Sequence, residues 1–462
     1  MAGDYRLADL IHFNQRIEEL VEESRLDCYP QEFEICSYED MLSYEAYLGM
    51  PTRYPHWSFG KSYERKKTFY RYNLTGLPYE MVINSNPCLA YLMKENTLLL
   101  QILTMAHVYA HNDFFKNNRL FRQGTRAEMA MEMFNAHARR VREYAADPSI
   151  GNLRVEQVLN DAHALRLQTC RIVGERILSR EEVKKRLLEQ YQPRESVHPL
   201  LEGKTVRKEP PNLETPVLEP QEDLLLFLIH YARLHDWERD ILGMVREEGM
   251  YFLPQIETKI MNEGWASFWH YRFLKELKLP QNLHVEFLKR HNQVVCAHEG
   301  SINPYHMGFM ILDKLARYPD GEERLFEARA QERDISFLMR FLDEELCQEL
   351  NLFQYMRSGR EYLVKEVADE EGWKKIRDTL AGMTGINGIP NIRIIEVQKQ
   401  DDTLHLEHEW DGRELQIDYA TQTLKHVARL WGRKVVLHTV LRGTAQVLES
   451  DRIAKRYEGS NF

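Results

Sequence analysis

Residues 96–112, NTLLLQILTMAHVYAHN, carry no formal charge. Such an apolar run is unsuited to a solvent-exposed surface, and it is shorter than the roughly 20 apolar residues a membrane span needs. It also contains Gln101, His107, His111 and Asn112, which are costly in lipid. A helix enclosed by protein on all sides satisfies these constraints, and it requires a large helical body around it. With 43% hydrophobic and 11% aromatic residues, the chain has the material for such a core, and overall disorder is excluded.

The 462 residues predict about three domains by length alone. Their 71 acidic and 61 basic side chains leave a net charge of −10, too mild and of the wrong sign for a nucleic-acid footprint. The six cysteines (28, 36, 88, 170, 296, 347) form no CxxC pair, so neither a disulfide scaffold nor a cysteine zinc site is indicated. Asp4, Arg6 and Asp9 occupy the place of a secretory apolar region. The expectation is a soluble cytoplasmic protein with neither membrane nor nucleic acid as partner.

Periodicity predicts a mainly α protein: a large helical body with a small C-terminal α+β domain. Residues 5–24 alternate at helical spacing, 28–87 read as irregular packed chain, and 87–190 read as helical, with amphipathic helices over 125–146 and 151–191. Residues 1–190 form the first part of the body. Residues 191–221, with prolines at 193, 199, 210, 211, 216 and 220, form a strap or linker. Helices resume over 222–384 as the second part of the body. Over 385–462 the period changes to two: NIRIIEVQ, DTLHLEHEW, RELQIDY and KVVLHTVL read as strands, Asp411–Gly412 as a hairpin turn, and residues 421–431 as a helix.

Two constellations carry chemistry. His107 and His111 in HVYAH lie four apart on a helix, which puts both imidazoles on one face, one turn apart, as bidentate metal binding requires. Position 108 is Val, so the glutamate base of an HExxH protease is missing. In MNEGWASFWHYR, Glu263, Ser267 and His270 share a helix face within an aromatic segment. A carboxylate buried there needs a partner, either a metal or an arginine such as Arg246 or Arg272. Two histidines from one helix and a glutamate from a later one make a His2Glu set suited to Zn2+ or a similar divalent ion.

In the turn-rich HEGSINPYHMG, Glu299 is a candidate base, alongside His270 and Asp113, and Tyr305 or His306 could donate to a developing oxyanion. Cys296 lies near His298, but nothing in the sequence supports its activation as a nucleophile, and it reads as a buried structural cysteine. His405 and His408, three apart on a predicted strand, face opposite ways.

The NEG-aromatic-Ala wording of the Glu263 segment resembles the helix that supplies the third, glutamate ligand in gluzincin aminopeptidases, which implies a gluzincin-like body. The blocks HWSFGK (56–61), YEMVINSNPCLAYLMKEN (79–96), AHVYAHNDFFKNN (106–118), WERDIL (237–242), YFLPQIETKIMNEGWASFWH (251–270) and INPYHMG (302–308) together resemble the stage V sporulation protein R family, SpoVR, over nearly the whole length. Ala110 departs from the pattern, where Gly is expected. The resemblance implies a cytoplasmic bacterial protein of spore cortex (peptidoglycan) formation, with a wider stress role in non-sporulating relatives. It implies a PrkA-type serine protein kinase and a von Willebrand A-like protein as partners, and it carries no biochemical activity.

Three readings follow. The first is a metal-dependent hydrolase of peptide or amide bonds, with His107, His111 and Glu263 as ligands. The second is a non-enzymatic regulatory or scaffold protein of the kinase system. The third is a helical di-iron protein, which would need Glu-x-x-His pairs on two helices.

Overall fold

The structure is a computed structural model that describes residues 5–71, 80–171, 181–182, 184–185, 188, 222–298, 301–358 and 361–451. The proline-rich strap at 191–221 and Glu299 lie outside the described residues. The chain groups into two compact units, Met1–Ser149 with Met250–Gly388 and Ile150–Gly249 with Ile389–Phe462.

The first unit is built around the helix Leu98–Asn117, the two-histidine helix. Thr97 starts it, its hydroxyl accepting the Leu100 N–H at 3.3 Å. Every residue from Gln101 to Phe115 is buried, as the uncharged run requires. The helices Leu7–Glu23, Lys259–Glu276 and Gln281–Val294 pack against it. The Lys259–Glu276 helix, called here the glutamate helix, in turn crosses the helix Pro304–Ala316 at Gly264 and Gly308. A methyl group on Gly264 would lie 2.5 Å from the Gly308 backbone, so the two main chains touch at this crossing.

Residues 28–87 are more regular than their composition suggests. They contain a strand β1 (Gln31–Cys36), helices Tyr38–Ala46 and Trp57–Arg71, and a strand β2 (Glu80–Ile83). CLAYLM, read above as part of a helical stretch, is a strand β3 (Cys88–Met93). It is central in a sheet of order β1-β3-β2, parallel to β1 and antiparallel to β2. A short, wholly apolar run has no periodicity to separate a buried strand from a buried helix. A hairpin of β4 (Gln354–Ser358) and β5 (Glu361–Glu366) interrupts the helices expected up to residue 384.

The second unit holds a four-stranded mixed sheet: β6 (Ile392–Val397), β7 (Leu404–His408), β8 (Val435–Leu441) and β9 (Thr444–Ser450), in that order. β7 and β8 are parallel, and the helix Ile417–Trp431 is their crossover. RELQIDY is therefore not a strand, and Asp411–Gly412 leads into this helix rather than into a hairpin. The hairpin with β9 turns at Arg442 and Gly443, both at positive φ. The crossover helix buries Leu424, Val427 and Ala428, and it packs on the helix Asn152–Ala164, where Asp161 accepts from Arg429 at 3.0 Å. That helix ends at Ala164, short of the expected 191. Among the described residues no helix is long and apolar enough to cross a membrane.

Candidate metal centre

His107 and His111 project from the two-histidine helix toward Glu263 on the glutamate helix. One donor atom from each of the three lies within 4.8 Å of the others. His111 Nε2 stands 3.7 Å from Glu263 Oε2. Ligands at 2.0–2.1 Å in a tetrahedral set are about 3.3 Å apart, so a small side-chain adjustment closes the triangle. Two imidazoles and a carboxylate form the nitrogen and oxygen donor set that suits Zn2+ and its divalent neighbours. His107 and His111 are buried, while the Glu263 side chain keeps 20% exposure, so the triad opens to solvent on its carboxylate side.

The two arginines considered as partners for Glu263 are engaged elsewhere. Arg246 pairs with Asp223 at 2.7 Å, and the Arg272 guanidinium lies 4.6 Å from the Phe268 ring centroid. Among the described residues no lysine or arginine pairs with Glu263.

Neighbouring groups orient both imidazoles. His111 Nδ1 is 2.8 Å from Asn262 Oδ1, an acceptor, so Nδ1 carries the proton and Nε2 offers its lone pair toward Glu263. His107 Nδ1 is 2.8 Å from His270 Nδ1, and His270 Nε2 is 2.9 Å from His291 Nδ1. Burial, and then the neighbouring imidazoles, holds His107 and His270 well below the ordinary histidine range. Burial brings His291 down to about 4. All three rings are therefore neutral at pH 7, the form a metal ligand requires.

Asp113 sets the register of the two ligand helices. Its carboxylate accepts from Trp265 Nε1 at 3.0 Å and from the Asp27 N–H at 2.8 Å, and it is paired with Arg329. Asp113 stands two residues after His111, and Trp265 two after Glu263. Burial raises Asp113 to about 6, against the pull of Arg329.

Tyr305, in the first turn of the Pro304–Ala316 helix, has its ring centroid 6.3 Å from that of His107. Asn303 fixes that turn, accepting from the Tyr305 N–H at 3.0 Å and donating to the carbonyls of Val294 and Cys296. His306 is half-buried and lowered by burial and by His298. The structure thus brings together His107, His111, Glu263, His270 and Tyr305, and places Asp113 behind them in a structural network. Asn262 and His291 were not anticipated. His291 did carry a signal, because with Phe287 it marks the buried stripe of the Gln281–Val294 helix.

The profile of SpoVR-like proteins matches residues 4–389, and that of the SpoVR-like C-terminal domain matches residues 390–442. An uncharacterized protein, YcgB of Escherichia coli (strain K12), is 35% identical, over 89% of this chain and 88% of that protein. No solved structure matches. With both its main body and its C-terminal segment matched in order, the chain belongs to the SpoVR-like family.

Proposed function

We propose that this protein binds one divalent metal ion, Zn2+ or a close neighbour, through His107, His111 and Glu263, and that it is a hydrolase of peptide or amide bonds with a gluzincin-like ligand arrangement. The convergence of the three donors, with both imidazoles oriented from behind, carries this reading. An ion so held supplies an activated water and a Lewis acid. Val108 is fully buried and cannot act as a base. Tyr305, whose ring centroid is 6.3 Å from that of His107, would be the donor to a developing oxyanion. The substrates that fit the family resemblance are cytoplasmic precursors of cortex peptidoglycan. Among the described residues the metal-ligand grouping holds one carboxylate, fewer than a carboxylate-bridged di-iron centre uses.

Elemental analysis of protein purified without chelators is expected to find about one equivalent of metal, lost in His107→Ala and Glu263→Ala. Finding no metal in the wild-type protein would sink the proposal. With the metal-loaded protein acting on an amide substrate, Tyr305→Phe should lower kcat by about 10²-fold at unchanged metal content.

A second reading gives the C-terminal segment a binding role toward the PrkA-type kinase or the von Willebrand A-like protein. It is motivated by the exposed side chains of Trp410, Tyr419 and Val447. Co-purification of either partner that survives removal of residues 385–462 would count against it.

A further inference from the structure

His270, a candidate base by sequence, joins two other imidazoles behind the triad. Its two ring nitrogens are both committed, Nδ1 to His107 at 2.8 Å and Nε2 to His291 at 2.9 Å. A neutral imidazole has one N–H and one lone pair. Three neutral rings linked through these atoms therefore have only two consistent proton arrangements.

In the inward arrangement, His291 Nδ1–H donates to His270 Nε2 and His270 Nδ1–H donates to His107 Nδ1. His107 then carries its proton on Nε2, and that nitrogen cannot be a ligand. In the outward arrangement, His107 Nδ1–H donates to His270 Nδ1, and His270 Nε2–H donates to His291 Nδ1. The His107 Nε2 lone pair is then directed at the triad.

We propose that His270 and His291 are positioning residues that lock His107 into its Nδ1–H tautomer, so that a metal ion at the triad and an outward-running chain of three imidazoles stabilise each other. This inference rests on the metal-binding reading above and adds to it the residues that select the ligand nitrogen.

The surroundings support a chain with little access to water. His107 and His270 are 0% exposed, and His291 is 3% exposed. The His291 ring lies among Tyr271, at 4.5 Å between centroids, Phe309, at 5.2 Å, and Phe287, at 6.1 Å. In such an apolar setting, an imidazole nitrogen that loses its partner has little water to replace it. The chain thus holds its direction as a unit. It plays the part that a carboxylate or backbone carbonyl plays behind many ligating histidines, the part Asn262 plays behind His111.

The test measures Zn2+ affinity of the full-length protein by competition with a chromophoric chelator. His270→Phe is expected to weaken binding about 10–100-fold. His270→Gln should recover most of that loss, because its amide oxygen can accept from His107 and its amide N–H can donate to His291. A thermal melt in chelator shows whether each variant is folded. Nitrogen-15 spectra of histidine-labelled, zinc-loaded wild-type protein should place the His107 proton on Nδ1.

Wild-type affinity in His270→Phe, or equal loss in folded His270→Phe and His270→Gln, would each overturn the inference while leaving the metal site standing; a His107 proton on Nε2 in the zinc-loaded protein would overturn it together with the place of His107 in the triad. Absence of zinc binding in the wild-type protein would instead remove the metal-binding reading, and this inference with it.

Discussion

His291 makes the buried imidazoles acid-sensitive. Its folded-state pKa of about 4 lies below the ordinary 6.5, so the unfolded chain takes up the proton first. Its contribution to stability is full above pH 6.5 and is lost as pH falls toward 4, at about 1.4 kcal/mol per pH unit in that window. His291→Phe should flatten the urea-derived stability profile of the metal-free protein between pH 6.5 and 4 by about one proton; an unchanged slope would remove His291 from the account. Asp113 behaves differently. As a saturated acceptor facing the Arg329 cation in the core, its replacement by Ala should cost about 3–5 kcal/mol in urea unfolding, because a buried charge loses its partner. The pairing of His107 and His111 is legible in the sequence because both sit on one helix at a spacing that chemistry recognises. Asn262 finds His111 across 151 residues, and no local pattern encodes that meeting.

At the scale of elements, the site depends on how closely two helices cross. A methyl on Gly308 would meet the Ile260 carbonyl oxygen at 2.2 Å and Gly264 Cα at 2.7 Å, atoms of helical backbone that cannot swing aside. Gly308→Ala must therefore push the Pro304–Ala316 helix away from the glutamate helix. The expected cost is about 1–3 kcal/mol in the urea midpoint, together with weaker metal binding as Glu263 and Tyr305 shift. Wild-type stability and affinity in this variant would show that the crossing does not position the site. Helices were the legible elements, since amphipathic runs such as Leu7–Glu23 repeat the apolar face several times over. The strands were less so. CLAYLM becomes a strand because β1 and β2 flank it, and the alternation in RELQIDY yields to a helix that begins at Ile417.

Across the whole molecule, the three candidate ligands come from segments that the chain keeps far apart. Residues 150–249 intervene between the two halves of the unit that holds the triad, and they group with 389–462 instead. A metal ion held at the triad, as proposed, would tie the Leu98–Asn117 helix to the Lys259–Glu276 helix across the intervening chain, and it would bind only when that unit is folded. Ligand binding stabilises the state that binds by RT ln(1 + [L]/Kd), about 2.7 kcal/mol when the free metal is 100-fold above Kd. That stabilisation belongs to the unit of Met1–Ser149 and Met250–Gly388, and the second unit has no share in it unless the two unfold together. Hydrogen exchange followed by mass spectrometry, with zinc and then with chelator, separates these cases. Chelation should cost protection in Leu98–Asn117, Lys259–Glu276 and Pro304–Ala316, and leave Asn152–Ala164 and Ile417–Trp431 unchanged. Loss of protection spread evenly over both sets would mean that the units unfold as one. Loss confined to Asn152–Ala164 and Ile417–Trp431 would place the metal away from His107, His111 and Glu263.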